Sequence, residues 1–522
     1  MKKESVQKGI VLVLFIFLFV LGVCIYKNYG ISTDEPRERE TTFLNLRYVS
    51  EMASDRSGSE NLEDYSDKYY GVAMQAVPSV IEVFLGLGEP DVFLIRHLWT
   101  FAVCFVGYIC FYLLCRKIRL SRGFSLLGTA MICLYPRFFA EQFYNIKDMM
   151  FTAMVMISMY FTVMVIENQY SILWMVMFSI VAALTTNVRI VGAIFPVLLL
   201  GYIWLEYLLI GRKNKAIFYA LRASVLIVAL YLGTYIFLMP SLWDNPIKGI
   251  GEVFIQFSNF DNWDGDIVFM GQIIKKADLP WYYIPVWLLI SLPIWYWILF
   301  LTAAGTFAVR LARRVGESRK ITAALFLENK YVIWAWAIAF LPWLAIVAVH
   351  STLYNGWRHC YFLLPPLVLL TLEGLRYHCI QWHNTRWKER IVLLIIVLGL
   401  ANQIRWIIVN HPYEMVYLNA VGRYWGADFD RDYWYLASTN LSRYILEHDD
   451  SEKITINGGN SVFLSILENE EKARFVWEEE NPAYYIESYR AKTGNCAEKE
   501  GYEEYYAVIV DGYRVATVFK KV

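Results

Sequence analysis

The chain has 522 residues, 57% of them hydrophobic, and its 48 basic side chains cancel its 48 acidic ones. That composition, with a mean hydropathy of +0.38, excludes a soluble enzyme of this length; net neutrality by itself says nothing about nucleic acid, and no nucleic-acid partner is expected. An integral membrane protein remains, with most of its eight Cys in apolar stretches and no disulfide framework.

Met1-Lys2-Lys3 precedes an apolar run that continues to Tyr26 without a small-x-small cleavage site, so it reads as an uncleaved anchor and first span. Windows long enough to cross about 30 Å of hydrocarbon follow near residues 95–115, 123–139, 149–166, 172–188, 190–210, 217–239, 283–309, 331–349, 360–375 and 391–409. These give about eleven spans. With the N-terminus in the cytoplasm, the inside loops become 116–119, 212–215, 310–320 and 376–390, all rich in Lys and Arg. Arg189 separates two apolar windows, and only a break there keeps the later basic loops inside. The outer segments are then 27–94, 140–148, 240–282, 350–359 and everything after Asn410.

The first outer segment opens with Ile31-Ser32-Thr33-Asp34-Glu35-Pro36. Adjacent carboxylates just beyond the bilayer edge can be partly desolvated and serve as a base or cation ligand, or they can belong to a solvated turn. Residues 69–84 form an amphipathic stretch expected to lie along the interface. The second outer segment leads from Arg137 to Tyr144-Asn145-Ile146-Lys147-Asp148, which places a cation and an anion at the start of a helix that Asp148 could also cap. The third carries Trp243, Phe254, Phe257, Phe260, Trp263 and Phe269, a composition suited to an interfacial lid or to anchoring. In the fourth, Tyr354-Asn355-Gly356-Trp357-Arg358-His359 gathers groups that suit a phosphate, although Arg358 alone could snorkel to headgroups.

Beyond Asn410 hydropathy falls. Residues 433–447 read as an amphipathic helix, 453–457 as a strand, and 505–519 as a hairpin turning at Asp511-Gly512. Asp428, Asp430 and Asp432 alternate like a calcium loop but lack its Gly and its closing Glu. Walker, Rossmann, zinc and nucleophile-elbow motifs are missing.

In their order and shared sidedness, Ser32-Thr33-Asp34-Glu35-Pro36, Tyr144-Asn145-Ile146-Lys147-Asp148, Asn187-Val188-Arg189 and Asn355-Gly356-Trp357-Arg358-His359 resemble landmarks of the GT-C superfamily of polyprenyl-phosphate-sugar glycosyltransferases. The similarity is to bacterial members of its protein O-mannosyltransferase and lipid A aminoarabinose transferase branch, without a β-trefoil-like insert. The resemblance implies a mainly α, polytopic membrane bundle of about eleven spans (1–410) with a small C-terminal α/β domain on the outer face (411–522) of the cytoplasmic membrane. It makes Asp34 the acceptor-activating base, puts Glu35 and Asp148 in the polar site, and sets Lys147, Arg189, Arg358 and His359 near a donor phosphate. Arg137, Tyr144, Asn145, Trp263 and Tyr354 complete the candidates on the acceptor or lid side.

The expected co-substrate is a polyprenyl-phosphate sugar, and the acceptor a glycan, lipid or protein. A divalent cation at Asp34 and Glu35 is left open. One base opposite the leaving phosphate implies inversion in a single displacement. The competing class is a polar-lipid or sugar-lipid transporter, for which paired broken helices and symmetric halves are not evident.

Overall fold

The computed structural model of the protein describes residues 2–54, 62, 64–210, 214–258, 265–318, 323–348, 351–381, 386–478 and 480–522. Phe260 and Trp263 of the expected lid lie outside the described residues, as do parts of the expected inside loops at 212–213, 319–320 and 382–385.

The protein is mainly helical, and among the described residues seven helices are long and apolar enough to cross a membrane, or nine if each of two bent pairs counts as one span. The described helices thus account for at most nine of the eleven expected spans. Hydropathy windows do not register breaks: Pro136 starts a new helix after Arg122–Cys133 with a 65° bend, and the chain turns by 116° at Leu292-Pro293. Of the other two windows, 172–188 folds as the 17-residue helix Ile172–Val188. The window at 360–375 opens as a 3-10 turn, Arg358–Leu363, before helix Leu364–Gln381, which carries Glu373, Arg376 and His378. The expected break at Arg189 is present. The preceding helix stops at Val188, Arg189 is extended (φ −149°, ψ 133°), and Ile194–Ile210 follows a short 3-10 turn.

Burial ranks the helices. In Asp148–Glu167 83% of the apolar window is buried, against 11% for Glu4–Asn28 and 17% for Trp387–Asn410, so the first is the axis of the bundle and the others turn apolar faces outward. Its two ends collect different company. Near Asp148 come the exit of the first span, the C-terminus of Ile172–Val188 and the turn before Leu364–Gln381; near Glu167 come Lys117, Lys330 and Arg376. The amphipathic stretch of the first outer segment forms Ala73–Leu85, whose 13 residues are too few to span. Its polar residues Gln75, Ser79 and Glu82 face inward, while Val80, Val83 and Phe84 are exposed.

A small hairpin, β1 (Ile267–Phe269) and β2 (Gln272–Ile274), docks on the segment after the last span: Val268 N–H donates to Asp430 Oδ1 (2.8 Å) and Asp430 N–H donates to Val268 O (3.1 Å). The C-terminal sheet contains β3 (Ile454–Gly458), β4 (Phe475–Trp477), β5 (Tyr484–Ser488), β6 (Tyr502–Val510) and β7 (Tyr513–Lys521) in the order β4-β3-β5-β7-β6. β3 runs parallel to β4 and β5, and β7 antiparallel to β5 and β6. Asp511 (φ 47°) and Gly512 (φ 88°) make the β6–β7 turn, the conformation a two-residue hairpin favours. One hydrophobic cluster runs from Tyr29 through Met150 and Tyr433 to Val518, so this region shares the bundle's core.

Candidate active site

Charged residues far apart in sequence meet at the Asp148 end around a cavity of ≈ 240 Å³. Asp34 is the first residue of helix Asp34–Ala53 and Asp148 the first of its own, positions where the helix dipole favours a carboxylate. Arg358 Nη1 lies between them, 3.2 Å from Asp34 Oδ2 and 3.3 Å from Asp148 Oδ2. Arg189, extended at its helix break, pairs with the other oxygen of Asp148. Lys147 pairs with Glu38, and its ammonium lies 3.8 Å from the centre of the Tyr70 ring. Arg37 pairs with Asp67 at 2.6 Å. Phe151, Val188, Ile190, Val191, Ile346 and Leu353 form the apolar part of the cavity wall.

Asp148 is buried, whereas the Asp34 side chain keeps 33% of its surface, which makes Asp34 the more accessible carboxylate. Burial works against the charges of Arg358 and Lys147, but neighbouring anions outweigh it: Asp34 and Asp148 for Arg358, Glu38 for Lys147, so both pKa values lie above the ordinary range. His359 behaves oppositely. Burial and then Arg358 push its pKa well below 6.5, leaving a neutral imidazole at pH 7. Its ring meets Tyr354 edge-on at 4.6 Å. Three buried polar atoms of cavity residues, Arg189 Nε, Arg358 Nε and His359 Nδ1, have no hydrogen-bond partner.

The structure thus brings together Asp34, Lys147, Asp148, Arg189, Tyr354, Arg358 and His359. It does not add Glu35. Successive helical residues are about 100° apart, so Glu35 turns inward, where Oε2 accepts the Ser32 N–H (2.7 Å) and Oε1 lies 3.0 Å from His97 Nε2. A cation shared by Asp34 and Glu35 does not fit that arrangement, and among the described residues no group of three or more His, Cys, Asp or Glu could hold a metal ion.

Arg137 is buried elsewhere, donating from Nε to Tyr417 O (3.0 Å) with its guanidinium 5.2 Å from the Trp287 ring centre. Tyr144 is buried too, and its carbonyl accepts from Ser32 Oγ at 3.0 Å. Asn145 supports the site from behind: Oδ1 accepts the Asp148 N–H (2.8 Å), so Asn145 rather than Asp148 caps that helix.

Sequence reasoning missed Arg37, Glu38 and Asp67. Arg37 and Glu38 were within reach, since they follow Asp34 by three and four residues on a helix and must share its face. Asn187 acts as a brace. It accepts from Ala73 N–H (3.0 Å) and donates to Leu238 O (3.1 Å), while Gly71 packs against it with no room for a Cβ.

No family model and no curated protein matches the chain. Solved structures it is similar to include the Archaeoglobus fulgidus oligosaccharyltransferase in its apo form (TM-score 0.42, 11% identity, 78% of this chain and 56% of that one). The same organism's oligosaccharyltransferase AglB, in complex with an inhibitory peptide and a dolichol-phosphate, aligns with TM-score 0.39 and 10% identity over 80% of this chain and 61% of the other. The arabinofuranosyltransferase AftD from Mycobacteria aligns with TM-score 0.41 and 10% identity over 98% and 40%. The chain thus spans 40% to 61% of the length of these proteins.

Proposed function

We propose that the cavity receives the phosphate of a membrane-borne sugar donor and that Asp34 takes the proton of an acceptor hydroxyl in an inverting glycosyl transfer. The observation that carries this reading is that Lys147, Arg189, Arg358 and His359 line one cavity beside an accessible carboxylate. Cations gathered around one cavity suit an anion with several acceptor oxygens, such as a phosphate.

In the transfer, the acceptor oxygen bonds to the anomeric carbon as the bond from that carbon to the phosphate oxygen breaks. The phosphate leaves with the electron pair towards Arg189 and Arg358, and the hydroxyl proton passes to Asp34. Because Arg358 Nη1 is shared by Asp34 and Asp148, a donor phosphate competes with Asp34 for it and frees that carboxylate for the acceptor. The apolar wall of Phe151, Ile190 and Val191 suits a lipid carrier, in keeping with a polyprenyl phosphate. The inward basic loops favour an outward-facing site, with a cell-envelope glycan, lipid or protein as acceptor.

The decisive test is Asp34→Asn in protein reconstituted in membranes. Transfer of labelled sugar is expected to fall by at least about 10²-fold at normal protein level and melting behaviour. Retained transfer removes Asp34 from the mechanism.

Transport has one observation in its favour, a second cavity of ≈ 330 Å³ at the Glu167 end. Helix Asp148–Glu167 fills the column between the two with buried side chains such as Met150, Met154 and Met156, which disfavours a passage. Movement of a sugar lipid across proteoliposomes without covalent change would reverse that preference.

A further inference from the structure

The helix-turn that follows the last span reaches back into the candidate site. Asp432 accepts the N–H groups of Leu436 (2.9 Å) and Ala437 (2.8 Å), and Tyr435 adopts φ 60°, so the chain reverses sharply at 433–435. That reversal drives Trp434, 1% exposed, against Arg358: the guanidinium carbon lies 4.4 Å from the Trp434 ring centre, 5.0 Å from that of Tyr354 and 5.9 Å from that of Tyr433. Arg358 is therefore held between an aromatic face from the C-terminal region and two carboxylates from the bundle. Its Nε has no partner, and among the described residues none of its hydrogen bonds goes to the C-terminal region, so aromatic contact is how that region grips it.

We infer that Trp434 is a positioning residue for the phosphate-binding guanidinium of Arg358, which makes the C-terminal region part of the donor site. The inference rests on the phosphate reading of the cavity. An arginine's planar cation stacks on tryptophan with its edge still free to donate, and the contact is strongest where water is excluded. The ring thereby fixes the guanidinium plane while leaving its in-plane donors available to an anion. A lysine at 358 would lose both the stack and the fork. The aromatic contact also gives Arg358 a hold that does not depend on Asp34, so the cation keeps its place when phosphate displaces that carboxylate.

The experiment measures binding of farnesyl phosphate to the full chain in nanodiscs. Trp434→Leu is expected to weaken it about tenfold, and Trp434→Phe, which keeps a π face, by less than about threefold. The double variant Trp434→Leu with Arg358→Ala should bind no more weakly than Arg358→Ala alone, since the ring acts through the guanidinium. Fluorinated tryptophans inserted at 434 alone keep the shape and weaken the negative face, so they keep the test available if Trp434→Leu does not fold; affinity should fall stepwise with fluorine number at constant melting temperature.

Affinity indifferent to fluorination, or a Trp434→Leu loss that adds in full to that of Arg358→Ala, overturns the inference and leaves the phosphate reading standing. Farnesyl phosphate that fails to bind the native chain overturns the phosphate reading, and this inference with it.

Discussion

The two ends of helix Asp148–Glu167 both carry ions beside a cavity, yet they are built differently. At the Asp148 end the carboxylate is buried, two arginines share it, and an indole from the C-terminal region covers one of them. At the Glu167 end the cavity is walled by pairs that water reaches from at least one partner: Lys330 and Glu167 at 3.1 Å keep 22% and 36% of their side-chain surfaces, and Arg376 and Glu373 at 2.6 Å keep 39% and 9%. Charge count does not tell the ends apart, since seven Asp, Glu, Lys or Arg residues line each cavity. What separates them is desolvation, which makes each unpaired group costly and each charge strong.

The comparison breaks most visibly at Asp148. Replacing it with Asn leaves Arg189 without its carboxylate and Arg358 with only Asp34. Removing one member of a buried ion cluster costs about 3–5 kcal/mol, so the variant should melt markedly earlier and lose at least about 10² of its transfer rate. A normal melting curve would mean that the cluster is solvated and that the two ends do not differ.

How much of this was legible in the sequence follows from the same geometry. Span ends can be sided from hydropathy and basic loops, so Asp34, Lys147, Asp148, Arg189 and Arg358 could be placed on one face, and the structure gathers them. Hydropathy does not resolve rotation about a helix axis, which is why Glu35 was grouped with Asp34 although it turns towards His97, while Glu38 on the correct face went unnoticed. Nor does it detect where the chain folds back: Arg137 and Tyr144 have the right sidedness but are consumed by packing. Trp434 carried no local signal at all, because its neighbour Arg358 is a tertiary contact across the bundle and the C-terminal region. Span number is over-read for a related reason, since hydropathy windows at 172–188 and 360–375 do not show that one folds as a 17-residue helix and the other opens as a 3-10 turn.

A gentler way to sharpen the contrast uses pH. His359 faces Arg358, Asp148, Arg189 and Lys147, and its pKa in the folded protein is well below 6.5. The unfolded chain therefore binds a proton that the folded protein refuses, so stability is complete above about pH 6.5 and declines as pH falls below it. The slope from this single group cannot exceed about 1.4 kcal/mol per pH unit. His359→Gln should flatten the acid limb of the melting-temperature profile; an unchanged profile would mean that the imidazole is already protonated, or open to water, in the native protein.

The smallest effect belongs to the other end. Glu167→Gln removes the charge that pairs with Lys330 while keeping a carbonyl oxygen for the Tyr331 hydroxyl, and the pair is partly open to solvent and screened by salt. Pairs of this kind contribute about 0–1 kcal/mol, so the melting temperature should move little, and less still at high salt. Sugar transfer should stay within about twofold of the native rate, because no step of the proposed reaction touches that cavity. If Glu167→Gln instead impaired transfer as strongly as Asp148→Asn, the two ends would be functionally joined, and an alternating-access mechanism would account for the ions at both better than a single transferase site does.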